Sequence, residues 1–307
     1  MCIRDSYGET EMLGFATEVI STFGFDWTRG RQDKSAHPFA IPIGSDDVRI
    51  TTRYDERRPF ETLFSTMHEA GHALYEQGVN PSWSRTLVRG GASLGVHESQ
   101  SRLWENLIGR SLPFWEHFFP LLELRFASQL GGISVEAFYR GMNQVQPSLI
   151  RVEADEVTYN LHVMVRVEIE IALLTGAVSA NDAPAFWNEK MKEYLGVEPV
   201  APADGILQDM HWSLGLFGYF ATYTFGNVIS VQLWEKFKSG EPRWAEQIRR
   251  GDFTPLREWL RFVGASARTK LRATRARRAC DRQPVVHGPV PRLSGIEVSG
   301  ALRCERL

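Results

Sequence analysis

Cysteine is scarce in this chain of 307 residues, and no Cys-x-x-Cys spacing occurs. The three cysteines lie near the two ends of the chain, and they are Cys2, Cys280 and Cys304. A disulfide scaffold and a cysteine-based zinc site are therefore both disfavoured.

Long apolar runs and an amino-terminal leader pattern are also missing. A helix needs about 20 predominantly apolar residues to cross a bilayer. We therefore expect no membrane partner and predict a reducing, cytoplasmic compartment.

Excess positive charge is confined to one end of the chain. Residues 266–307 contain ten Lys/Arg and three Asp/Glu, a net charge of +7. Because the whole chain has a net charge of −2, residues 1–265 have a net charge of −9. An acidic body offers no electrostatic footprint for nucleic acid. We predict no nucleic-acid partner, with a basic nucleic-acid arm as the alternative for the tail.

Apolar residues recur at helical spacing along most of the chain, and a strand-like alternation marks residues 47–54. The pattern predicts a mainly α fold with one small sheet. One helix is predicted from Pro59 to Gln77, a second over residues 97–111, and a helix in two pieces over residues 205–238. The chain is long enough for one large domain or two smaller ones.

The helix predicted for Pro59 to Gln77 contains a His-Glu-x-x-His pattern formed by His68, Glu69 and His72. Residues i and i+4 lie one turn apart on the same helix face, so both imidazoles can reach one ion. Glu69 stands beside them as a group that can carry a proton. The pattern fixes only three positions and occurs by chance in unrelated proteins.

A third metal ligand is sought on a neighbouring helix, because catalytic zinc takes three protein ligands and keeps one open position. Glu98 follows His72 with 25 residues between them, which allows an antiparallel return of the chain. Glu105 lies seven residues further on the same helix face and can accept a hydrogen bond from a ligand imidazole. A solvated surface charge is the alternative for Glu98.

Six short motifs follow one another along residues 37–212. They are His37-Pro38-Phe39, Asp47-Val48-Arg49-Ile50-Thr51, His68-Glu69-Ala70-Gly71-His72, His97-Glu98-Ser99-Gln100, Ile150-Arg151-Val152-Glu153-Ala154-Asp155 and Gly205-Ile206-Leu207-Gln208-Asp209-Met210-His211-Trp212. In this order they resemble the thermostable (Taq-type) carboxypeptidase family of zinc metallopeptidases, over roughly residues 8–265.

The resemblance implies a helical, zincin-like catalytic half with a small antiparallel sheet near the active site. It also implies that His68, His72 and Glu98 bind Zn²⁺, with Co²⁺ as a possible substitute. Glu69 would act as the general base and deliver a proton to the leaving amine. His97 is expected to support the ligands from behind, as Glu105 does.

A carboxypeptidase must also bind the free α-carboxylate of a peptide substrate, and arginine suits this task because its planar fork matches a carboxylate. Arg151 is the first candidate and Arg49 the second, both from the family motifs. The alternative for each is a structural ion pair, Arg49 with Asp47 or Arg151 with Asp155.

Stabilisation of the oxyanion needs a further hydrogen-bond donor. By analogy with similar helical zinc peptidases, His211 and Tyr223 are assigned this role, with Tyr219 nearby. Packing of these rings in the core is the alternative.

The resemblance also predicts that the chain is partial. Residues 1–6 are expected to be a non-native start, residues 7–265 the catalytic part without its preceding helical part, and residues 266–307 a disordered or frame-shifted basic tail. Intact enzymes of the family are expected to be cytoplasmic homodimers acting on peptides with a free C-terminus. The alternatives are a related helical zinc oligopeptidase or dipeptidase and a non-catalytic metal-binding fragment.

Overall fold

The computed structural model describes residues 7–44, 46–86 and 89–264. Contacts divide these residues into two compact units, residues 7–132 with 229–264 and residues 133–228. The predictions for residues 1–6 and 266–307 lie outside the described residues.

Helices dominate both units, as the periodicity predicts. In chain order the helices are α1 (Glu9–Phe23), α2 (Pro59–Gln77), α3 (Leu94–Arg102), α4 (Leu112–Arg125), α5 (Ala127–Leu130), α6 (Val135–Met142), α7 (Tyr159–Leu174), α8 (Ala183–Leu195), α9 (Ala221–Gly240), α10 (Trp244–Arg249) and α11 (residues 254–264). The strands are β1 (Gly30–Lys34), β2 (Ala40–Gly44) and β3 (Asp47–Thr52).

The core of the first unit begins with the apolar stripe of α1. The stripe is fully buried and consists of Met12, Phe15, Ala16, Val19, Ile20 and Phe23. The ring of Phe23 lies 4.5 Å from that of Trp104 and 4.8 Å from that of Phe253. Gly24 ends the helix with φ of +95°, a conformation that glycine adopts at little steric cost.

Helix α2 has the predicted bounds, Pro59 to Gln77, and contacts α1, α3 and β3. Because neighbours surround it, polar residues are buried as well as apolar ones, among them Thr66 and Glu69. The hydroxyls of Thr66 and Thr52 lie 2.9 Å apart and connect α2 to β3. The helix that carries the His-Glu-x-x-His pattern is therefore held from several sides.

The described strands form one mixed sheet in the order β1-β3-β2. The predicted antiparallel arrangement is right for β2 and β3 but wrong for β1, which pairs with β3 in parallel. β2 and β3 form a hairpin, whereas β1 lies on the other edge of β3 and runs opposite to β2. Only β3 has the burial pattern of a central strand, and Pro42 is accommodated in β2 because β2 is an edge strand.

Helix α3 begins three residues before the predicted position and does not continue as a regular helix. The hydroxyl of Ser93 accepts a hydrogen bond from the backbone N–H of Val96 at 3.2 Å and caps the helix. After Arg102 the chain widens into a π-helical segment, Leu103–Ile108. Such segments are frequent at functional sites.

The second unit has its own core, built mainly from α7 and α8. Its members are Val165, Ile169, Trp187, Met191 and Leu195. A helix in two pieces was predicted for residues 205–238, and the prediction of the first piece is wrong, because residues 201–211 form turns. The side chain of Gln208 accepts a hydrogen bond from the backbone N–H of Arg151 and donates to the carbonyl of Leu149. These bonds stabilise a turn-rich segment in place of a helix.

Candidate active site

Two adjacent helices bring together the three predicted metal ligands. The Nε2 atoms of His68 and His72, both on α2, lie 3.9 and 3.5 Å from Oε2 of Glu98 on α3. One ligand atom from each residue lies within 4.8 Å of the others. Glu98 is buried, which rules out the alternative that it is a solvated surface charge.

Gly71 lets α2 and α3 approach closely enough to form this cluster. A Cβ atom at position 71 would lie 2.7 Å from Cα of Ser101 and 2.8 Å from the carbonyl oxygen of Gln100. Both are backbone atoms that cannot swing away. A residue without a side chain is therefore required between the two histidines of α2.

Glu105 contacts His68, the first predicted ligand. Its Oε2 lies 2.8 Å from Nδ1 of His68, on the side of the ring away from Glu98. Arg102 donates from Nε to Oε1 of Glu98 at 2.8 Å and from Nη1 to Oε2 of Glu105 at 3.4 Å. Arg102 thus holds one oxygen of Glu98 while the other faces the two imidazoles.

His97 contacts His72, the second predicted ligand. The Nδ1 atoms of His97 and His72 lie 2.6 Å apart, and Nε2 of His97 lies 2.9 Å from Oε1 of the buried Glu76. Glu76 and Arg102 are absent from the predictions made from sequence. Each stands four residues after a ligand, Glu76 after His72 and Arg102 after Glu98, and this i+4 spacing is the signal that could have identified them.

The electrostatics of the cluster favour an added cation. Burial opposes the charge on His68, but Glu98 and Glu105 outweigh burial and raise the pKa of His68 to about 9. Burial, together with the nearby positive charge of His68, lowers the pKa of His72 well below its ordinary value. A metal ion bound among these groups would balance the negative charge of Glu98 and Glu105, which a proton on His68 otherwise balances.

The donor set fits a divalent metal ion. Two imidazole nitrogens and one carboxylate oxygen converge, and three protein ligands leave a coordination position for water or substrate. Glu69 lies beside His68 with its carboxyl group buried, and burial raises its pKa to about 7. A carboxyl group with this pKa can exchange a proton near neutral pH.

In the second unit Arg151 is buried, and each of its three guanidinium nitrogens donates a hydrogen bond. Nη2 and Nε donate to Oδ1 of Asp209 at 2.6 and 3.2 Å, and Nη1 donates to the hydroxyl of Tyr159 at 2.6 Å. The alternative considered from the sequence was an ion pair of Arg151 with Asp155, but the observed partner of Arg151 is Asp209. The carboxylate of Asp155 instead accepts the backbone N–H groups of Val157 and Thr158.

Asp209 is shared between two guanidinium groups, because Arg166 donates from Nε to its Oδ2 at 2.6 Å. Arg166 is completely buried, and its guanidinium carbon lies 4.6 Å from the ring centre of Trp187. Burial would raise the pKa of Asp209, but Arg151 and Arg166 outweigh it and hold that pKa far below its usual range. Two arginines share one aspartate here, so the group carries an excess of positive charge.

The residues predicted as oxyanion donors lie together in the second unit. Nε2 of His211 lies 2.8 Å from the hydroxyl of Tyr223, and the ring of Tyr219 lies 5.5 Å from each of theirs. The ring of Tyr223 also covers the guanidinium of Arg151 at 4.7 Å. His211 packs at 4.3 Å against Phe220, so the rings contribute to the core as well.

Arg49 lies on β3 in the first unit and is half exposed. It forms a two-pronged ion pair with Asp47, with Nε–Oδ1 and Nη2–Oδ2 distances of 2.9 and 2.8 Å. This is the structural pairing foreseen as the alternative. A partly exposed ion pair of this kind contributes little to stability and can exchange partners.

The family described as Carboxypeptidase Taq (M32) metallopeptidase matches residues 2–282. The chain belongs to this family. The resemblance inferred from the six motifs is thereby confirmed.

Two curated relatives illustrate the degree of similarity. The chain is 53% identical over 251 residues to Thermostable carboxypeptidase 1 of Thermus thermophilus, covering 80% of this chain and 48% of the relative. It is 44% identical over 258 residues to Carboxypeptidase 1 of Bacillus subtilis, covering 84% and 52%. The chain spans about half the length of the curated relatives it matches.

Solved structures of M32 family members share the fold. An M32 carboxypeptidase from Deinococcus radiodurans R1 superposes with a TM-score of 0.82 at 45% identity, covering 85% of this chain and 53% of that one. A Pyrococcus furiosus carboxypeptidase gives 0.83 at 40% identity, covering 89% and 56%. In the part of this M32 chain that the structure describes, no helix has the length and apolar character needed to cross a bilayer.

Proposed function

We propose that this chain carries the catalytic part of a zinc-dependent metallocarboxypeptidase that hydrolyses the C-terminal peptide bond of peptides. The observation that carries the proposal is the convergence of His68, His72 and Glu98 beside the buried carboxyl group of Glu69. Imidazole and carboxylate are ligand types that zinc takes in catalytic sites, and Co²⁺ can occupy the same donor set.

Zinc held by these three ligands would polarise a water molecule and the carbonyl of the scissile bond. Glu69 accepts a proton from the attacking water and delivers it to the leaving amine. Its raised pKa, about 7, suits both halves of that transfer. His211 and Tyr223 donate hydrogen bonds to the oxyanion, with Tyr219 beside them.

Arg151 and Arg49 bind the free α-carboxylate of the peptide in this proposal. Two arginines around Asp209 provide the positive charge that would attract a carboxylate, and the solvent-accessible pair of Arg49 with Asp47 can open to admit one. The intact enzyme is proposed to be a cytoplasmic homodimer that acts on peptides, without nucleic-acid or membrane partners.

A related oligopeptidase that does not read the free carboxylate is a second candidate. The observation in its favour is that Arg151 already directs all its guanidinium nitrogens to Asp209 and Tyr159. Such an enzyme would cleave amidated peptides as readily as peptides with a free C-terminus.

The test combines zinc analysis with hydrolysis of a peptide and of its C-terminally amidated twin. Glu69→Gln should keep one zinc per chain and lose activity by about 10²- to 10⁴-fold, the range for general acid–base catalysis. Glu61→Gln is a matched control on the same helix, and it should retain activity.

The two peptides separate the candidate functions. The carboxypeptidase proposal requires the free peptide to be cleaved much faster than its amidated twin, and it requires Arg49→Gln to narrow that preference. Equal cleavage of both peptides would favour the oligopeptidase. If the wild-type chain binds zinc but does not hydrolyse either peptide, the chain is a non-catalytic metal-binding fragment.

A further inference from the structure

The two histidine ligands have different supports, and this asymmetry indicates a further functional pair of residues. His68 contacts the carboxylate of Glu105 directly at 2.8 Å. His72 instead contacts another imidazole, that of His97, which in turn contacts Glu76. The carboxylate of Glu105 thus contacts His68 directly, whereas that of Glu76 reaches His72 through the imidazole of His97.

The hydrogen-bond partners of His72 and His97 determine which ring nitrogen of each residue carries the proton. Nε2 of His72 faces Glu98 and must keep its lone pair to ligate a metal, so the proton of His72 lies on Nδ1. This N–H donates to Nδ1 of His97, which therefore carries its own proton on Nε2. That second N–H donates to Oε1 of Glu76, 2.9 Å away.

We propose that His97 and Glu76 are positioning residues that fix the orientation and tautomer of His72 for metal binding. This inference rests on the proposed metallopeptidase function, and it adds Glu76 to the residues on which that function depends. Because a hydrogen bond to the remote nitrogen raises ligand basicity, the pair also strengthens the bond that His72 makes.

The surroundings of His97 hold its ring in the required place. The ring of Tyr75 meets it edge to face at 5.2 Å, and that of His72 lies 4.6 Å away. A Cβ atom on Gly91 would approach its Cδ2 to 3.0 Å, so the backbone closes over the ring from that side. Glu76 is only 6% exposed and lies one helical turn after His72.

The test measures zinc affinity by competition with a chromophoric chelator. His97→Phe keeps a ring between Tyr75 and His72 but breaks both hydrogen bonds, and it should weaken zinc binding about tenfold. His97→Gln should restore most of the affinity, because its carbonyl can accept from His72 and its amide can donate to Glu76. Glu76→Gln should fall between these two variants. His117→Phe, the same change away from the cluster, should leave the affinity unchanged.

Nitrogen-15 spectra of the imidazoles in the zinc-loaded wild-type protein provide a second readout that folding defects do not affect. The proposal requires a proton on Nδ1 of His72 and on Nε2 of His97. Any other pair of tautomers, or equal zinc affinity for His97→Phe and His117→Phe, would overturn the positioning role while leaving the proposed function intact. Failure of the wild-type chain to bind zinc would overturn both.

Discussion

Replacing Gly71 by alanine should separate the two helices that carry the proposed metal ligands. The added Cβ would lie 2.7 Å from Cα of Ser101, whereas ordinary contact begins at 3.4 Å. The backbones must therefore separate by about 0.7 Å, the difference between these two distances. Because Glu98 lies on α3, it would move away from the histidines of α2.

Two opposing terms set the stability of this variant. Alanine gains up to about 1 kcal/mol over glycine in a helix interior. Overpacking against a backbone typically costs about 1–3 kcal/mol. We expect the overpacking to prevail, giving a net loss of about 1 kcal/mol or more, together with weaker zinc binding.

Gly14→Ala on α1 is the matched control, because among the described residues the one atom within 4 Å of its Cβ would be Nη1 at the flexible end of Arg125, at 3.9 Å. It should be stabilising by about 0.5–1 kcal/mol, since only the helix propensity changes. Urea unfolding of both variants in the presence of a chelator gives the free energies, and chelator competition gives the zinc affinities. Gly71→Ala with the stability and zinc affinity of Gly14→Ala would refute the close-approach argument.

Three further changes test other parts of the structure. His162 is buried, and neither ring nitrogen has a hydrogen-bond partner among the described residues; burial, reinforced by nearby arginines, lowers its pKa to about 3. The unfolded chain takes up a proton near pH 6.5 and the folded chain does not, so this residue should cost about 1.4 kcal/mol per pH unit as pH falls from 6.5 towards 3. His162→Leu should flatten that part of the stability profile measured by urea unfolding, and an unchanged slope would contradict the assignment. Gln77→Ala should destabilise the fold by about 1–3 kcal/mol, because the side chain of Gln77 hydrogen-bonds both the backbone N–H and the carbonyl of Asp26. A loss below about 0.5 kcal/mol in the same assay would argue against this role. Arg102→Leu should weaken zinc binding about tenfold by releasing Glu98, and chelator competition showing wild-type affinity would exclude that role.

Regular helices with wide apolar stripes could be predicted from the sequence. The bounds of α2 follow from Pro59 and Gly78, and the burial of α1 follows from its spacing. The strands β1 and β2 could not be predicted, because β1 is polar throughout and β2 is an exposed edge strand containing Pro42. Such strands depend on pairing with β3, and local sequence does not encode that pairing.

The cluster of His68, His72 and Glu98 could be predicted because two of these residues share one helix turn and the third follows after a short return of the chain. The partner of Arg151 could not, since local reasoning favours Asp155 whereas the observed partner, Asp209, lies 58 residues further along the chain. Glu76 was missed for another reason. A glutamate near the end of a helix is ordinarily a surface charge, and only its burial beside His97 distinguishes it.

The π-helical segment Leu103–Ile108 sets a strict requirement on chain length in this region. On its amino-terminal side Glu98 must face His72, and at its carboxyl-terminal end Ile108 must stay buried. Each residue of a regular helix turns the chain by about 100°. A single insertion or deletion between Glu98 and Ile108 would rotate one of these two residues out of place, so the number of residues between them is as much a part of the site as their identities.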